Sequence, residues 1–68
     1  MQTKTLEHIL EFLSHTDEQH TCEQISEHVG LSTVTVRRYV NYLVEIGRVQ
    51  SEINYSTGGR PSIVYRRM

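Results

Sequence analysis

Residues 21–46 read TCEQISEHVGLSTVTVRRYVNYLVEI, and two helical patterns meet in this stretch at Gly30, Leu31 and Ser32. A glycine just beyond a helix can adopt the left-handed conformation that closes it. A serine two residues later can cap the next helix through its hydroxyl. One helix therefore ends and another begins within three residues, which predicts the connection of a helix-turn-helix.

Two helices are predicted before this turn. An apolar stripe at helical spacing predicts the first over about residues 3–15; its members are Leu6, Ile9, Leu10 and Leu13. Thr21 followed three residues later by Gln24 has the pattern of a capping box, which predicts the second helix over residues 22–29. Its inner face is expected to carry Cys22, Ile25 and Val29.

The third helix is predicted to start at its cap, Ser32, and to run to about residue 46, where Gly47 ends it. Its apolar face is expected to hold Val36, Val40 and Leu43, with Tyr39 at the edge. Leu31 is expected to fold back onto the core.

From Arg48 onward the apolar period falls to two, which predicts a β-hairpin over about residues 48–66 around a Gly-Gly turn. One face of the first strand would carry Val49, Ser51, Ile53 and Tyr55. In the second strand Ile63 and Tyr65 share a face and Val64 lies on the other. A very short strand is possible at residues 20–21. The predicted fold class is mainly α with a small hairpin, a winged helix-turn-helix forming one domain over residues 1–68.

The composition fits a small globular domain. The 68 residues are 37% hydrophobic and 22% charged, which does not indicate disorder. The single cysteine, Cys22, excludes an internal disulfide and favours a reducing compartment. No apolar run approaches the roughly 18–20 residues of a membrane span, and the N-terminus lacks the apolar block of a signal peptide. We therefore expect a cytoplasmic protein with no membrane partner.

Charge is divided unevenly along the chain. Residues 1–30 hold one lysine and six acidic residues, a net charge of −5, whereas residues 31–68 hold six arginines and two acidic residues, a net charge of +4. Such asymmetry favours one face that binds an anion and another that faces solvent. A chance cluster of solvated charge is the alternative.

The exposed face of the third helix supplies the predicted DNA contacts, because a helix in the major groove presents its N-terminal residues to base edges. The predicted recognition residues are Ser32, Thr33, Val34, Thr35, Arg37, Arg38 and Asn41. Thr33 or Val34 can contact a thymine methyl, and Arg37 can bind guanine through two hydrogen bonds. Arg38 and Asn41 are expected to contact phosphates, which position the protein without specifying sequence.

The hairpin tip supplies a second set. Gly59 gives a tip without side-chain bulk and Arg60 can extend from it. Arginine is favoured in narrow, A·T-rich minor grooves, where the potential is most negative. Arg48, Arg66 and Arg67 are expected to contact phosphate or to face solvent.

Other chemistry has little support in the sequence. His8, His15, His20 and His28, with Cys22, have no recognised zinc spacing and are expected to be ordinary surface histidines and an inward cysteine. The four tyrosines are expected in the core or at its rim, and not as a platform for single strands. No residue set indicates catalysis, a metal or a cofactor.

One combination of motifs resembles a known family. It consists of residues 35–39 (Thr-Val-Arg-Arg-Tyr), Tyr42-Leu43, Gly47, Gly59-Arg60-Pro61 and Tyr65. It is similar to the C-terminal DNA-binding domain of bacterial two-component response regulators that respond to citrate, malate and other C4-dicarboxylates, over about residues 21–66. The resemblance implies a transcription regulator controlled by phosphorylation of a separate receiver domain, with recognition roles for Thr33, Thr35, Arg37 and Arg38 and a wing role for Arg60.

Two departures from that family matter. The chain has one aspartate, Asp17, and no receiver domain, so we expect an excised effector domain or a small stand-alone regulator. Members of the family often carry arginine after the capping serine, where this chain has Thr33. The leading hypothesis is sequence-specific binding of double-stranded DNA, as a homodimer on two half-sites. The rival hypothesis is a winged helix that binds another protein, which the acidic first helix suggests.

Overall fold

The computed structural model of the protein describes residues 1–55 and 60–68. It contains α1 (Thr3–Ser14), α2 (Cys22–Val29) and α3 (Thr33–Glu45), followed by β1 (Val49–Asn54) and β2 (Ser62–Arg67). The two strands form one antiparallel sheet. This order of elements confirms the predicted winged helix-turn-helix.

Helix α2 begins and ends at the residues that the sequence indicated. The backbone N–H of Gln24 donates to the Thr21 hydroxyl at 3.2 Å, and the backbone N–H of Thr21 donates to the Gln24 side-chain oxygen at 2.9 Å. The capping box is therefore complete. At the other end Gly30 has a φ of 75°, and its N–H donates to the Ser26 carbonyl at 2.8 Å. The glycine closes the helix because residues with a side chain avoid this conformation.

The core lies between the three helices and the base of the hairpin. Its buried members are Ile9 and Leu13 from α1, Cys22 and Ile25 from α2, Val36, Tyr39, Val40 and Leu43 from α3, and Val49 and Tyr65 from the strands. Tyr39 is thus part of the core and not at its edge. Leu31 is 36% exposed and outside this cluster, so the prediction that it folds back was wrong. The chain has already turned outward at Gly30, and Leu31 and Ser32 are both exposed.

Strand β2 lies between β1 and a short segment before α2. Its register with β1 runs from Val49 opposite Arg67 to Asn54 opposite Ser62. On its other edge the Tyr65 N–H donates to the His20 carbonyl at 2.8 Å, and the His20 N–H donates to the Tyr65 carbonyl at 3.0 Å. The short strand considered possible at residues 20–21 is therefore present as a single bridge at His20.

Among the described residues of the hairpin, those at its base are covered by the helices. Val49, Val64 and Tyr65 are buried, whereas Ile53 is 57%, Tyr55 72% and Ile63 54% exposed. The face predicted to carry Val49, Ser51, Ile53 and Tyr55 is therefore buried at Val49 and exposed at the other three residues, and the expectation that Tyr55 lies at the core or its rim was wrong. Burial does not alternate along either strand, because this part of the hairpin extends beyond the helices.

Candidate nucleic-acid interface

The first turn of α3 is fixed by its cap. The Thr35 N–H donates to the Ser32 hydroxyl oxygen at 3.2 Å, and that hydroxyl donates to the Thr35 hydroxyl at 2.9 Å. Both hydroxyls therefore hold the start of the helix. Thr33 and Thr35 are partly buried, while Val34 is 71% exposed. Of these four predicted contact residues, Val34 projects most freely from the helix start.

The exposed face of α3 carries two unpaired cations. Arg37, Arg38 and Asn41 are all exposed. Within residues 1–55 and 60–68, neither Arg37 nor Arg38 forms a salt bridge, and the contact at salt-bridge distance found there joins His15 to Glu11 at 3.7 Å, which is an ion pair only when His15 is protonated. The guanidinium groups can therefore meet an external anion without first breaking a contact to a carboxylate.

An open cleft of about 510 Å³ lies between α3, the start of β2 and the start of α2. Its lining residues are Arg37 and Asn41 from α3, Pro61, Ser62, Ile63 and Tyr65 from the second arm of the hairpin, and Thr21, Cys22 and Glu23 from α2. Arg38 and Val34 lie on α3 outside this cleft. The fold thus brings Arg37 and Asn41 together beside the hairpin, although they are far from β2 in sequence.

Tyr65 forms part of the wall of this cleft. It is only 3% exposed. Burial raises the pKa of Tyr65 to about 12, and the neighbouring Cys22 thiol acts in the same direction, whereas the positive charge of Arg37 acts against them. The phenol is therefore neutral at ordinary pH and close to the Arg37 charge.

Sequence reasoning assigned Tyr65 to one strand face but gave it no role in the site. The one sequence signal that bears on the place of Tyr65 in the site is the period of two, which puts Tyr65 and Ile63 on the same strand face. Nothing local indicated that this face would meet Arg37.

The predicted wing residues are only partly described. Gly59 lies outside the described residues. Arg60 is exposed and lies two residues before β2. Arg60 therefore lies just before the start of β2, the strand that contributes Ile63 to the cleft.

The histidines lie mainly on the side of α1 and α2. The ring of Phe12 stacks on His28 with centroids 4.0 Å apart and meets His20 edge-on at 4.9 Å. His8, His15 and His28 share an open cleft with Glu11 and Phe12. Across the described part of the chain, no three His, Cys, Asp or Glu side chains are placed to hold a metal ion.

Residues 5–59 match the protein family described as HTH domain. The chain is 41% identical over 66 residues to the probable C4-dicarboxylate response regulator DctR of Halalkalibacterium halodurans, covering 97% of this chain and 29% of that protein. It is 39% identical over 61 residues to the transcriptional regulatory protein CitT of Bacillus subtilis, covering 90% and 27%. It is 35% identical over 49 residues to the transcriptional regulatory protein MalR of B. subtilis, covering 72% and 21%.

The fold is a winged helix-turn-helix, and its third helix presents a cationic face. The chain belongs to the HTH domain family. The family and these similar proteins point to a regulatory role and not an enzymatic one. The chain spans less than a third of the length of these three relatives. None of the helices in residues 1–55 and 60–68 is long and apolar enough to cross a membrane.

Proposed function

We propose that the chain is the effector domain of a bacterial response regulator and that it binds double-stranded DNA with sequence specificity. The observation that carries this proposal is the pair of exposed arginines on α3, Arg37 and Arg38, which have no carboxylate partner in the described part of the chain. A helix-turn-helix places this helix in the major groove. The names of the similar proteins, which include response regulators, support the regulatory context.

Each predicted residue has a proposed role on the duplex. Arg37 binds guanine through two hydrogen bonds, a contact worth about 1–3 kcal/mol in discrimination. Val34, the most exposed side chain of the first turn, contacts a thymine methyl, as does Thr33 where it can reach. Arg38 binds a phosphate.

The other polar residues of α3 have supporting roles. Asn41 shares the cleft with Arg37, and we assign it to the DNA backbone at that edge of the helix. Ser32 and Thr35 hold the helix start and contact a phosphate through their remaining hydrogen-bonding capacity.

The hairpin is proposed to supply the second contact. Arg60, with Gly59 before it, enters the adjacent minor groove, where arginine is most favoured in A·T-rich sequence. The exposed position of Arg60 next to β2 supports this assignment.

The assembly on DNA is also proposed. A single chain with few arginines binds weakly, so two copies occupy two half-sites and bind together. A receiver domain elsewhere in a longer protein would control this pairing, and the whole regulator would act in the bacterial cytoplasm. Residues 1–68 would then form one domain of that protein.

The test is a titration of the isotope-labelled chain with duplex DNA at low salt, followed by amide shifts in NMR spectra. We expect shifts concentrated on residues 32–41 and 60–63, and their loss in Arg37→Ala. Arg67→Ala is the matched control, because it removes one arginine charge at the end of β2 that lies away from the cleft. Shifts confined to α1, or none at high DNA concentration, would refute duplex binding by the chain and favour a protein partner.

A further inference from the structure

Two of the tyrosines are buried, and they lie in different parts of the fold. Tyr39 on α3 is 8% exposed, and its hydroxyl accepts the backbone N–H of Gln2 at 3.0 Å, which ties the start of α1 to α3. Tyr65 on β2 is 3% exposed and lines the cleft beside Arg37. The core and the bond to Gln2 account for the burial of Tyr39, whereas Tyr65 lies in the cleft that also contains the proposed DNA-contacting residue Arg37.

The position of Tyr65 is fixed from several directions. Both of its backbone hydrogen-bonding groups are paired with His20, at 2.8 and 3.0 Å. It is paired with Ser51 across the hairpin, and its ring lies in the core cluster. A hydroxyl carried by such a residue has little freedom to move, so it can serve as a reference point for a mobile neighbour.

Arg37 is the neighbour that such a hydroxyl could position. Its side chain is long, exposed and without a salt bridge in the described residues. Glu23, the carboxylate that lines the same cleft, forms no ion pair with it. An unrestrained arginine must lose much rotational freedom when it binds a base through two hydrogen bonds, and this loss weakens discrimination.

The chemistry of the pair is complementary. A guanidinium has five N–H donors and no acceptor, and a phenol oxygen can accept a hydrogen bond. The Cys22 thiol also acts on the Tyr65 side chain through a hydrogen bond, but a thiol is a weak partner. Tyr65 and Arg37 line the same cleft, which places the two side chains as neighbours.

We infer that Tyr65 is a positioning residue that holds Arg37 over the cleft, in the orientation from which it reads a base. The inference rests on the proposed DNA recognition by Arg37. It extends that proposal to the hairpin, since the strand contributes to sequence specificity through the recognition helix and not only through its tip.

The experiment is a double-mutant cycle read by DNA affinity. Duplexes are selected from a random pool by the wild-type chain, and a scrambled duplex of the same composition serves as the non-specific probe. Fluorescence anisotropy gives the affinity for both with the wild type, Tyr65→Phe, Arg37→Ala and the double variant. Tyr39→Phe is the matched control, because it also removes one buried hydroxyl but lies away from the cleft.

Tyr65→Phe is expected to lower the preference for the selected duplex by about fivefold to tenfold, within the range of couplings between neighbouring groups. Affinity for the scrambled duplex should stay within about twofold of wild type, since non-specific binding depends on the total charge at the interface. In the Arg37→Ala background, Tyr65→Phe should have no further effect. Tyr39→Phe should leave the preference unchanged, whatever it does to thermal stability.

The outcomes separate the two proposals. If Arg37→Ala lowers the preference but Tyr65→Phe does not, or if Tyr65→Phe acts equally with and without Arg37, the positioning role is wrong and the proposed function stands. If Arg37→Ala leaves the preference intact, both the base-reading role of Arg37 and this inference are refuted. Thermal melts of each variant identify any loss that comes from unfolding.

Discussion

Replacing Arg38 with alanine should weaken binding to all DNA sequences by the same factor and should reduce the dependence of the affinity on salt. Arg38 is exposed on α3, lies outside the cleft and has no salt bridge within the described residues. Arginine and alanine both favour helices, so the substitution should leave the fold intact. The effect on binding therefore reports the lost contact with phosphate and not a change in structure.

The magnitude follows from counterion release. Each phosphate neutralised on B-DNA contributes about −0.9 to the slope of log affinity against log salt. If Arg38 neutralises one phosphate, the slope of the Arg38→Ala variant should be shallower by about 0.9 per chain. Between about 50 and about 200 mM salt, the variant should lose about 3.5-fold less affinity than the wild type does. The ratio between selected and scrambled duplexes should not change, since phosphates carry no sequence information.

Arg67→Ala is the control for total charge. Both variants lower the net charge from −1 to −2. Arg67 lies opposite Val49 at the base of the hairpin, beside the end of α1. Arg67 lies five residue steps along β2 from Ser62, which lines the cleft, so the two residues are about 17 Å apart. The assay is fluorescence anisotropy over a series of salt concentrations. An unchanged slope for Arg38→Ala would refute the assignment of Arg38 to the interface, whereas a shallower slope for Arg67→Ala as well would place Arg67 on phosphate too.

Three further predictions concern stability. Ile25 has no exposed surface, so Ile25→Ala should lower the free energy of unfolding by about 2–5 kcal/mol. Val34 is 71% exposed, so Val34→Ala should change the free energy of unfolding by less than about 0.5 kcal/mol. Similar urea midpoints for the two variants would contradict the core described above. Thr21→Ala should cost about 1 kcal/mol, because it removes the hydroxyl half of the capping box, and a thermal midpoint lowered by less than a degree or so would show that the cap contributes little. The pKa of Tyr65 near 12 implies that the folded chain binds more protons than the unfolded chain above pH 10, so this contribution to stability is complete below pH 10 and falls as pH rises to about 12. Ultraviolet absorbance of tyrosinate checks this, since the latest-titrating signal should vanish in Tyr65→Phe, and its persistence there would show the assignment to be wrong.

The helices could be predicted from the sequence because their signals are local. The capping box of Thr21 and Gln24 lies within four residues, and Gly30 and Ser32 mark an end and a start. Helical spacing also identified the buried face of α3. Signals of this kind depend on neighbours three or four residues apart and so do not require knowledge of the rest of the fold.

The surroundings of the hairpin could not be predicted in the same way. Alternation placed Val49 and Ile53 on one face, but only the helices decide that Val49 is buried and Ile53 is 57% exposed. The cleft beside Arg37 depends on the bridge between Tyr65 and His20, which are 45 residues apart in the chain. Burial and long-range pairing are properties of how the elements pack, and a period of two carries no information about either.

The separation of charge explains how a chain with a net charge of −1 can bind a polyanion. At physiological ionic strength, charges are screened over about 8 Å, so a phosphate responds to the nearest side chains more than to the total. Arg37 and Arg38 are free of carboxylate partners in the described part of the chain, whereas Glu11 on α1 has His15 as its partner. The buried row of α3, with Val36 and Val40 fully covered, fixes the helix beneath these arginines. Because no carboxylate pairs with these two arginines in the described part of the chain, both charges remain available for the proposed contact, while the acidic residues of α1 and α2 lower the non-specific attraction of the whole chain to DNA.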